Sequence, residues 1–306
     1  MRSGSKILVT GPAGQIAFPM AAQLARDNEV WGVARFSVPG SRERVEEAGI
    51  RCVAADLAAG DFGELPDDFE YVLHLAAAQE PGNDYDAAIR ANAEATGLLL
   101  AHCRKAKAAL VMSTHSVYHP VDDPLHVFKE TDALGDVHPT HSPTYSISKL
   151  MQEGVARTCA RMFELPVTIA RMNASYGPNG GLPASHWDAI AAGVPVRTRW
   201  DPCPYSPIYE DDINDQAAAL LDAASVPATI VNWAGDEAVS VQEWTAYLGE
   251  LSGLPVQLEV VSIPGTLRGS IADVSRRQSF TGPCKVGWRD GLRRIVENRA
   301  TPAAAG

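Results

Sequence analysis

The chain has little that would tie it to nucleic acid, to a lipid surface or to an oxidising compartment. Its 306 residues carry 26 Lys and Arg against 37 Asp and Glu, a net charge of −11 with no basic cluster, so nucleic acid and anionic membrane surfaces are poorly matched partners. Five cysteines, at positions 52, 103, 159, 203 and 284, include no Cys-x-x-Cys. That argues against a disulfide framework or a zinc ribbon and suits a reducing cytosol. There is no signal peptide and no 18-residue apolar span, since a strand-like run begins almost at once, so a soluble cytoplasmic protein is expected. Internal repeats and low-complexity linkers are also missing, which removes arrays. Met1 to Ser5 reads partly as an expression remnant and Thr301 to Gly306 as a loose tail. With 46% hydrophobic residues, the length suffices for a large core in one two-lobed unit or two closely packed domains.

What is present is an alternation. Strand-like runs occur at Ile7–Val9, Val30–Val33, Arg51–Ala54, Tyr71–Leu75, Leu110–Ser113 and Val167–Ala170, separated mostly by segments of helical periodicity. Between Asp84 and Lys107, residues Ile89, Ala93, Thr96, Leu100 and Cys103 keep one face of a helix. Such alternation predicts an α/β fold with a doubly wound parallel Rossmann sheet. Glycine and proline become dense from Tyr176 to Pro207, the texture of a smaller substrate-binding lobe. We therefore expect a dinucleotide-binding domain over residues 1–171 with a returning segment near 207–233, and a substrate lobe over 172–206 and 234–306.

Lys6 to Thr10 runs straight into Gly11-Pro12-Ala13-Gly14-Gln15-Ile16-Ala17 and then an apolar stretch from Phe18 to Leu24. Strand, glycine turn and helix in that order make a dinucleotide loop, with the helix N-terminus facing the phosphates. Gly11 supplies the tight turn and Gly14 the close approach, while Ala17 stands where a third glycine is expected. Downstream lies Tyr145-Ser146-Ile147-Ser148-Lys149. A Tyr and a Lys four residues apart share a helix face. The ammonium is expected to pull the phenol pKa from about 10 toward neutrality, so that Tyr145 trades a proton with a substrate oxygen.

These motifs, with six more in order, resemble the extended short-chain dehydrogenase/reductase family, also described as the NAD-dependent epimerase/dehydratase family. The further matches are Ala55-Asp56-Leu57, His74-Leu75-Ala76-Ala77, Asn92, Ser113-Thr114-His115-Ser116-Val117-Tyr118, Ala170-Arg171-Met172 leading past Asn173 to Tyr176-Gly177-Pro178, and Tyr209-Glu210-Asp211-Asp212-Ile213. The resemblance covers most of the chain. It implies a catalytic set of Thr114, Tyr145 and Lys149, with Ser113 the neighbouring alternative to Thr114, and with Asn92 fixing helix geometry and a relay water. It implies cofactor contacts from Gly11, Gly14, Gln15, Ile16, Asp56, Leu57, Leu75, Ala76, Ala77, Asn92, Tyr145, Lys149 and Asn173. It also implies a homodimer formed through the Asn92 and Tyr145 helices. The glycine usual after Tyr118 is His119 here, so the local turn is expected to differ.

Absences then narrow the chemistry. The second strand ends in Ala34-Arg35, without the carboxylate that grips the ribose hydroxyls of NAD. Arg35 offers a guanidinium for an extra phosphate, so NADP(H) is favoured over NAD(H), the competing reading being that Arg35 stacks on the adenine of either. His115 and Ser116 follow Thr114 where dehydratases of the family carry Asp-Glu, so dehydration and decarboxylation lose their expected machinery. Nucleotide-sugar enzymes of the family place an Arg where Tyr205 stands, so the diphosphate clamp is missing unless Arg197, Arg199 or Arg268 replaces it. Trp187, Trp200 and Tyr205 are alternatively pocket walls or lobe-packing aromatics.

The expected protein is thus an oxidoreductase moving hydride between NADP(H) and a small carbonyl or secondary alcohol. Its substrate contacts are expected from Thr114, His115, Tyr145, His186 and Tyr205, with His141 a further candidate. A nucleotide-sugar epimerase holding NAD tightly and a non-catalytic NADP-sensing regulator are the alternatives. The spacings His115-x-x-x-His119 and His138-x-x-His141 are ligand-like but lack a third partner, so no metal is expected. Substrate identity is not written in a fold.

Overall fold

The computed structural model describes residues 3–79, 82–139 and 142–300. Seven parallel strands form its centre: β1 (Lys6–Thr10), β2 (Glu29–Ala34), β3 (Arg51–Ala54), β4 (Tyr71–His74), β5 (Ala108–Thr114), β6 (Val167–Met172) and β7 (Thr229–Trp233). Their order is β7-β6-β5-β4-β1-β2-β3. Ile7, Leu8 and Val9 of β1 are fully buried, as is every residue of β6, because helices cover both faces of a parallel sheet and leave no wet side.

One face is covered by α1 (Ala17–Leu24) and α7 (Glu210–Asp222), whose Met20, Ala21, Ala217 and Leu220 join Ile7, Val9 and Val231 in one core. The other face carries α4 (Ala95–His102) and α5 (Tyr145–Phe163), through Leu99, Leu100, Ala156 and Ala160 against Leu8, Val72 and Ile169. The strand order reverses at β1 and β4. Crevices at such a point, outside the carboxyl ends of the strands, are where doubly wound sheets bind ligands.

A third core gathers Trp187 and Ile190 of α6 (Leu182–Ala191), Trp244 and Leu248 of α8 (Val241–Ser252) and Leu292 and Ile295 of α10 (Trp288–Ala300). Small strand pairs pin this lobe, Val196–Thr198 against Leu258–Val260 and Pro204–Tyr205 against Val239–Ser240. They bring residues near 200 beside residues near 265. Among the described residues, no helix is long and apolar enough to cross a membrane.

Two elements differ from the sequence expectation. The single helix read over Asp84–Lys107 is α3 (Tyr85–Ile89), then a π turn at Arg90–Glu94, then α4. Asn92 sits in that wider turn and donates to Ala78 O (2.9 Å) while accepting from Ala78 N (2.8 Å). Extra residues in a helical turn of this kind commonly mark functional sites. The seventh strand, β7, was not among the strand-like runs. It pairs along β6 from Thr229↔Thr168 to Trp233↔Met172, and tertiary burial rather than local pattern makes it a strand.

Candidate active site

The end of β1 is tied to the end of β4 by a hydroxyl. Thr10 Oγ1 accepts from Leu75 N (3.0 Å) and Ala76 N (2.9 Å). Its own proton therefore goes to His74 Nδ1, 2.9 Å away. His74 Nε2 then donates to Thr96 Oγ1 (2.7 Å), which also accepts from Gln152 Nε2 (2.9 Å) and donates to Asn92 O (2.6 Å). Burial, with Lys149 nearby, lowers the His74 pKa to about 3, so the ring is neutral, as this single-proton pattern requires.

Asn92 Nδ2 continues the network to Ser148 Oγ (2.9 Å), which donates to Tyr145 O (2.9 Å). The glycine loop and the first turn of α5 are thus positioned by one connected set of polar groups, in which Gln152 Oε1 alone among the named atoms is unpartnered. Polar groups buried in this way are costly unless all are paired, and when paired they fix a single arrangement.

At the mouth of that network, Thr114 ends β5 and Tyr145 and Lys149 begin α5. Lys149 is fully buried and donates to Met112 O at 2.7 Å. Burial lowers its pKa to about 7, opposed by the charge of Glu153. The expectation that Lys149 depresses the Tyr145 phenol is corrected here. Burial raises that pKa, and the opposing influence is a hydrogen bond from Thr114. The low-dielectric surroundings penalise the phenolate, and Lys149 spends its donor on the Met112 carbonyl. Ser113 is no competitor for the Thr114 position, because its hydroxyl donates to Glu153 Oε1 at 2.6 Å. Glu153 also receives Arg171 Nε (2.9 Å) and Nη2 (2.8 Å). That buried pair was missed in the sequence, although Glu153 lies four residues beyond Lys149 on the same face.

Gly11 adopts φ +64, and a Cβ there would meet Ala76 Cα at 3.2 Å; one on Gly14 would meet Gly11 O at 3.1 Å. Only glycine fits so tight a loop without strain. Ile16 opens α1, and Gln15 Oε1 accepts from Ser175 Oγ (3.1 Å) while its Nε2 is buried without a partner. A cradle of main-chain N–H groups at a helix start, with an unmet amide beside it, fits a dinucleotide phosphate. Leu75 and Ala76 lie at this crevice, with Ala77 exposed just beyond. Arg35 is exposed directly after β2 and makes no hydrogen bond or ion pair among the described residues. Asp56 caps the short turn Leu57–Ala59 by accepting from Ala58 N (3.0 Å), and Leu57 packs on the sheet.

A cavity of about 420 Å³ opens between sheet and lobe, lined by Thr114, His115, Tyr145, Asn173, Arg199 and Tyr205 among others. Asn173 donates to Ser270 O (2.7 Å) and accepts from Ser206 N (3.2 Å), stitching β6 to the lobe. His115 is buried, its Nδ1 2.8 Å from Ser270 Oγ and its Nε2 unpartnered. Ser270 and Gln79 also line this cavity, and no motif in the sequence marked them. Burial raises the Tyr205 pKa to about 12, so this phenol stays neutral.

The expected substrate contact from His186 is overturned. Its Nδ1 accepts from Trp244 Nε1 at 2.9 Å inside the lobe core, away from the cavity wall. Trp187 packs in the same core, whereas Trp200 lines a second cavity of about 180 Å³. His141 lies outside the described residues, as do residues 1, 2 and 301–306. His119 is exposed and pairs with Asp136 (3.1 Å), far from being a co-ligand of buried His115. Among the described residues, no three side chains gather as a metal site.

A doubly wound sheet with a glycine turn at its switch point, and a Thr-Tyr-Lys cluster at the same edge, defines a dinucleotide-binding protein of the short-chain class. The model of the NAD dependent epimerase/dehydratase family matches residues 7–195, and the chain belongs to that family of enzymes. The fold is similar to MoeE5 solved with UDP-glucose and NAD, at 27% identity over 96% of this chain and 98% of that one, with a TM-score of 0.79. It is similar to the UDP-glucuronic acid 4-epimerase of Bacillus cereus with UDP-glucuronic acid and NAD (24%, 96% and 98%, TM-score 0.82). It also resembles the UDP-glucose 4-epimerase of Thermotoga maritima (22%, 96% and 98%, TM-score 0.82). No curated protein matches the sequence.

Proposed function

We propose that the protein is a sugar 4-epimerase that uses NAD to oxidise and re-reduce one carbinol of a nucleotide sugar. The observation that carries this reading is Thr114 and Tyr145 on the wall of the 420 Å³ cavity, with Lys149 buried one turn behind Tyr145 and the glycine cradle alongside, in a chain whose fold over 96% of its length is similar to that of MoeE5 with UDP-glucose and NAD. It displaces simple carbonyl reduction as the leading function, since the similar proteins hold nucleotide sugars. The preference for NADP(H) read from Arg35 gains no support either, because the cofactor in those structures is NAD. NAD is our cofactor assignment.

When bound, the oxidised nicotinamide supplies a reversible hydride acceptor and a positive charge. Gly11, Gly14, Gln15 and Ile16 hold the phosphates in this reading, Leu75, Ala76 and Asn173 flank the cofactor, and Lys149 holds the nicotinamide ribose. With the cofactor's positive charge beside it, Tyr145 would be held as the phenolate that burial alone disfavours, and would take the proton of the sugar hydroxyl as the carbinol hydrogen passes as hydride to the nicotinamide. Thr114 donates to the resulting carbonyl oxygen and shares the proton with Tyr145. The pathway then reverses onto the other face of the carbonyl, and Tyr145 returns the proton. The low-dielectric cavity strengthens both hydrogen bonds to the reacting oxygen.

A homodimer through α4 and α5 belongs to the same reading, supported by Leu98, Met151 and Met162, which are 41%, 43% and 69% exposed on those helices. A second reading, a net dehydrogenase for a smaller sugar, is favoured by one observation: Tyr205 fills the position expected to hold a diphosphate-gripping Arg. Incubation with UDP-glucose or UDP-glucuronate, followed by proton NMR and 340 nm absorbance together, separates the two. Epimer formation at constant absorbance is expected. Stoichiometric NADH with a keto product would replace epimerase by dehydrogenase.

A further inference from the structure

The main cavity has an unbalanced wall. Among the described residues, its lining contains no Asp and no Glu, and Arg199 is the one Lys or Arg in it, in a chain whose net charge is −11. The other arginines of the neighbourhood are neutralised: Arg197 pairs with Glu259 at 3.0 Å and Arg268 with Asp122 at 2.7 Å. Arg199 has no ion pair and no hydrogen bond among the described residues, and its Nε is buried and unmet. What holds it is the Tyr205 ring, with the guanidinium carbon 5.2 Å from the ring centroid. It lines both the catalytic cavity and the smaller one walled by Trp200 and Thr266. A guanidinium held on an aromatic face, with its donors unspent, is prepared for a planar or tetrahedral oxyanion.

On the same cavity wall, His115 Nε2 is a second buried polar atom without a partner. The His115 ring is packed edge-on between Tyr118 (4.7 Å) and Phe128 (5.5 Å), so it cannot turn away. Burial, with the charges of Arg171 and Arg199, lowers its pKa to about 3. With Ser270 Oγ donating to Nδ1, the neutral ring carries its proton on Nε2 and offers it as a hydrogen bond, while Arg199 offers charge. Unmet buried groups of this kind are costly, and a ligand that satisfies them recovers that cost.

We propose that Arg199, seconded by His115 Nε2, forms an oxyanion subsite that makes a carboxylate or phosphate on the sugar a requirement for binding. The inference rests on the sugar-epimerase reading for the sugar itself, while the anion requirement stands on the cavity wall. It replaces the clamp missing at Tyr205 with a cation from the strand Val196–Thr198 side of the lobe, and Tyr205 becomes the surface that orients it.

The test is calorimetric binding to the NAD-saturated protein, which needs no turnover, with UDP-glucose, D-glucuronate and methyl glucoside as probes. Wild type is compared with Arg199→Met, Arg199→Lys and His115→Phe, each first shown to keep the wild-type thermal midpoint and NAD affinity. The expected result is that an anionic probe binds and methyl glucoside does not. Arg199→Met then weakens the anion about ten- to a hundred-fold, Arg199→Lys recovers part of that loss, and His115→Phe weakens it less. Loss confined to UDP-glucose assigns the subsite to phosphate, and loss confined to glucuronate assigns it to carboxylate. Equal anion affinity in wild type and Arg199→Met, or no preference for anionic over neutral probes, overturns the proposal. Anion binding that depends on Arg199 without any epimer formation would leave the subsite standing and remove the epimerase reading instead.

Discussion

The polar network behind the cavity and the lining of the cavity itself are built on opposite principles. On the sheet side, Thr10, His74, Thr96, Asn92 and Ser148 spend their hydrogen-bonding groups on one another and on the backbone that carries Tyr145. Along the cavity lining, Arg199 Nε on the lobe side and His115 Nε2 just past β5 are buried and unspent, as are Gln15 Nε2, Ser142 Oγ and Ser146 Oγ. The connected network fixes geometry, which acid–base chemistry needs before any substrate arrives. The unspent lining stores demand for a ligand, which selectivity needs.

The comparison is broken most severely at its chemical end. Tyr145→Phe is expected to lower kcat by about 10² to 10⁴-fold while NAD stays bound, read by steady-state rates beside cofactor retained on purification. Unchanged kcat would move the acid–base role elsewhere. Thr114→Val removes the hydroxyl at the reacting oxygen and should cost on the order of 10²-fold in kcat, with sugar binding little altered. Asn92→Ala tests the connected network itself. It leaves both Ala78 backbone groups without their side-chain partner and removes the donor to Ser148 Oγ, and we expect about 1–3 kcal/mol of lost stability in urea unfolding, with a fall in kcat as α5 loses its anchor.

Acid sharpens the contrast next. His74, His115 and His186 are held neutral, with pKa values of about 3, 3 and 4, all below the ordinary 6.5. Their contribution is fully present above pH 6.5 and is lost as pH falls toward the folded values, because the unfolded chain binds the protons first. Each histidine should cost about 1 kcal/mol between pH 6.5 and 5.5, seen as a falling thermal midpoint. An anion at Arg199 should blunt the part due to His115. The smallest effect expected is that of Arg35→Ala, which should change NAD affinity less than about threefold, since an exposed charge without a partner contributes little. A collapse of NADPH binding in that variant would instead restore the NADP preference.

Much of the sheet side is legible in the sequence. Gly11 and Gly14, Thr114, and the Tyr145 to Lys149 spacing are local patterns, and local geometry decides what they do. The pKa direction of Tyr145 is not local. It depends on burial that only the closed cavity supplies, and so a rule for exposed helical pairs gave the wrong sign. The unspent lining is hardly legible at all. His115 meets Ser270, 155 residues away, and Arg199 is distinguished from Arg197 and Arg268 only by the carboxylates it lacks. His186 looked like a pocket residue by type, yet its partner Trp244 is fixed by the packing of α6 on α8, which no motif encodes. The π turn at Asn92 likewise needs the Ala78 backbone to explain it.

The central claim is that the Thr114, Tyr145 and Lys149 cluster serves a reaction in which NAD would take a hydride from one carbon and return it to the same carbon without releasing it. UDP-glucose and UDP-glucuronate carrying deuterium at C4, incubated with the NAD-loaded protein, test it most directly by mass spectrometry and NMR. The account predicts a 4-epimer that keeps the deuterium at C4, with no deuterated NADH in solution. Deuterium recovered in free NADH, beside a keto product, would contradict it.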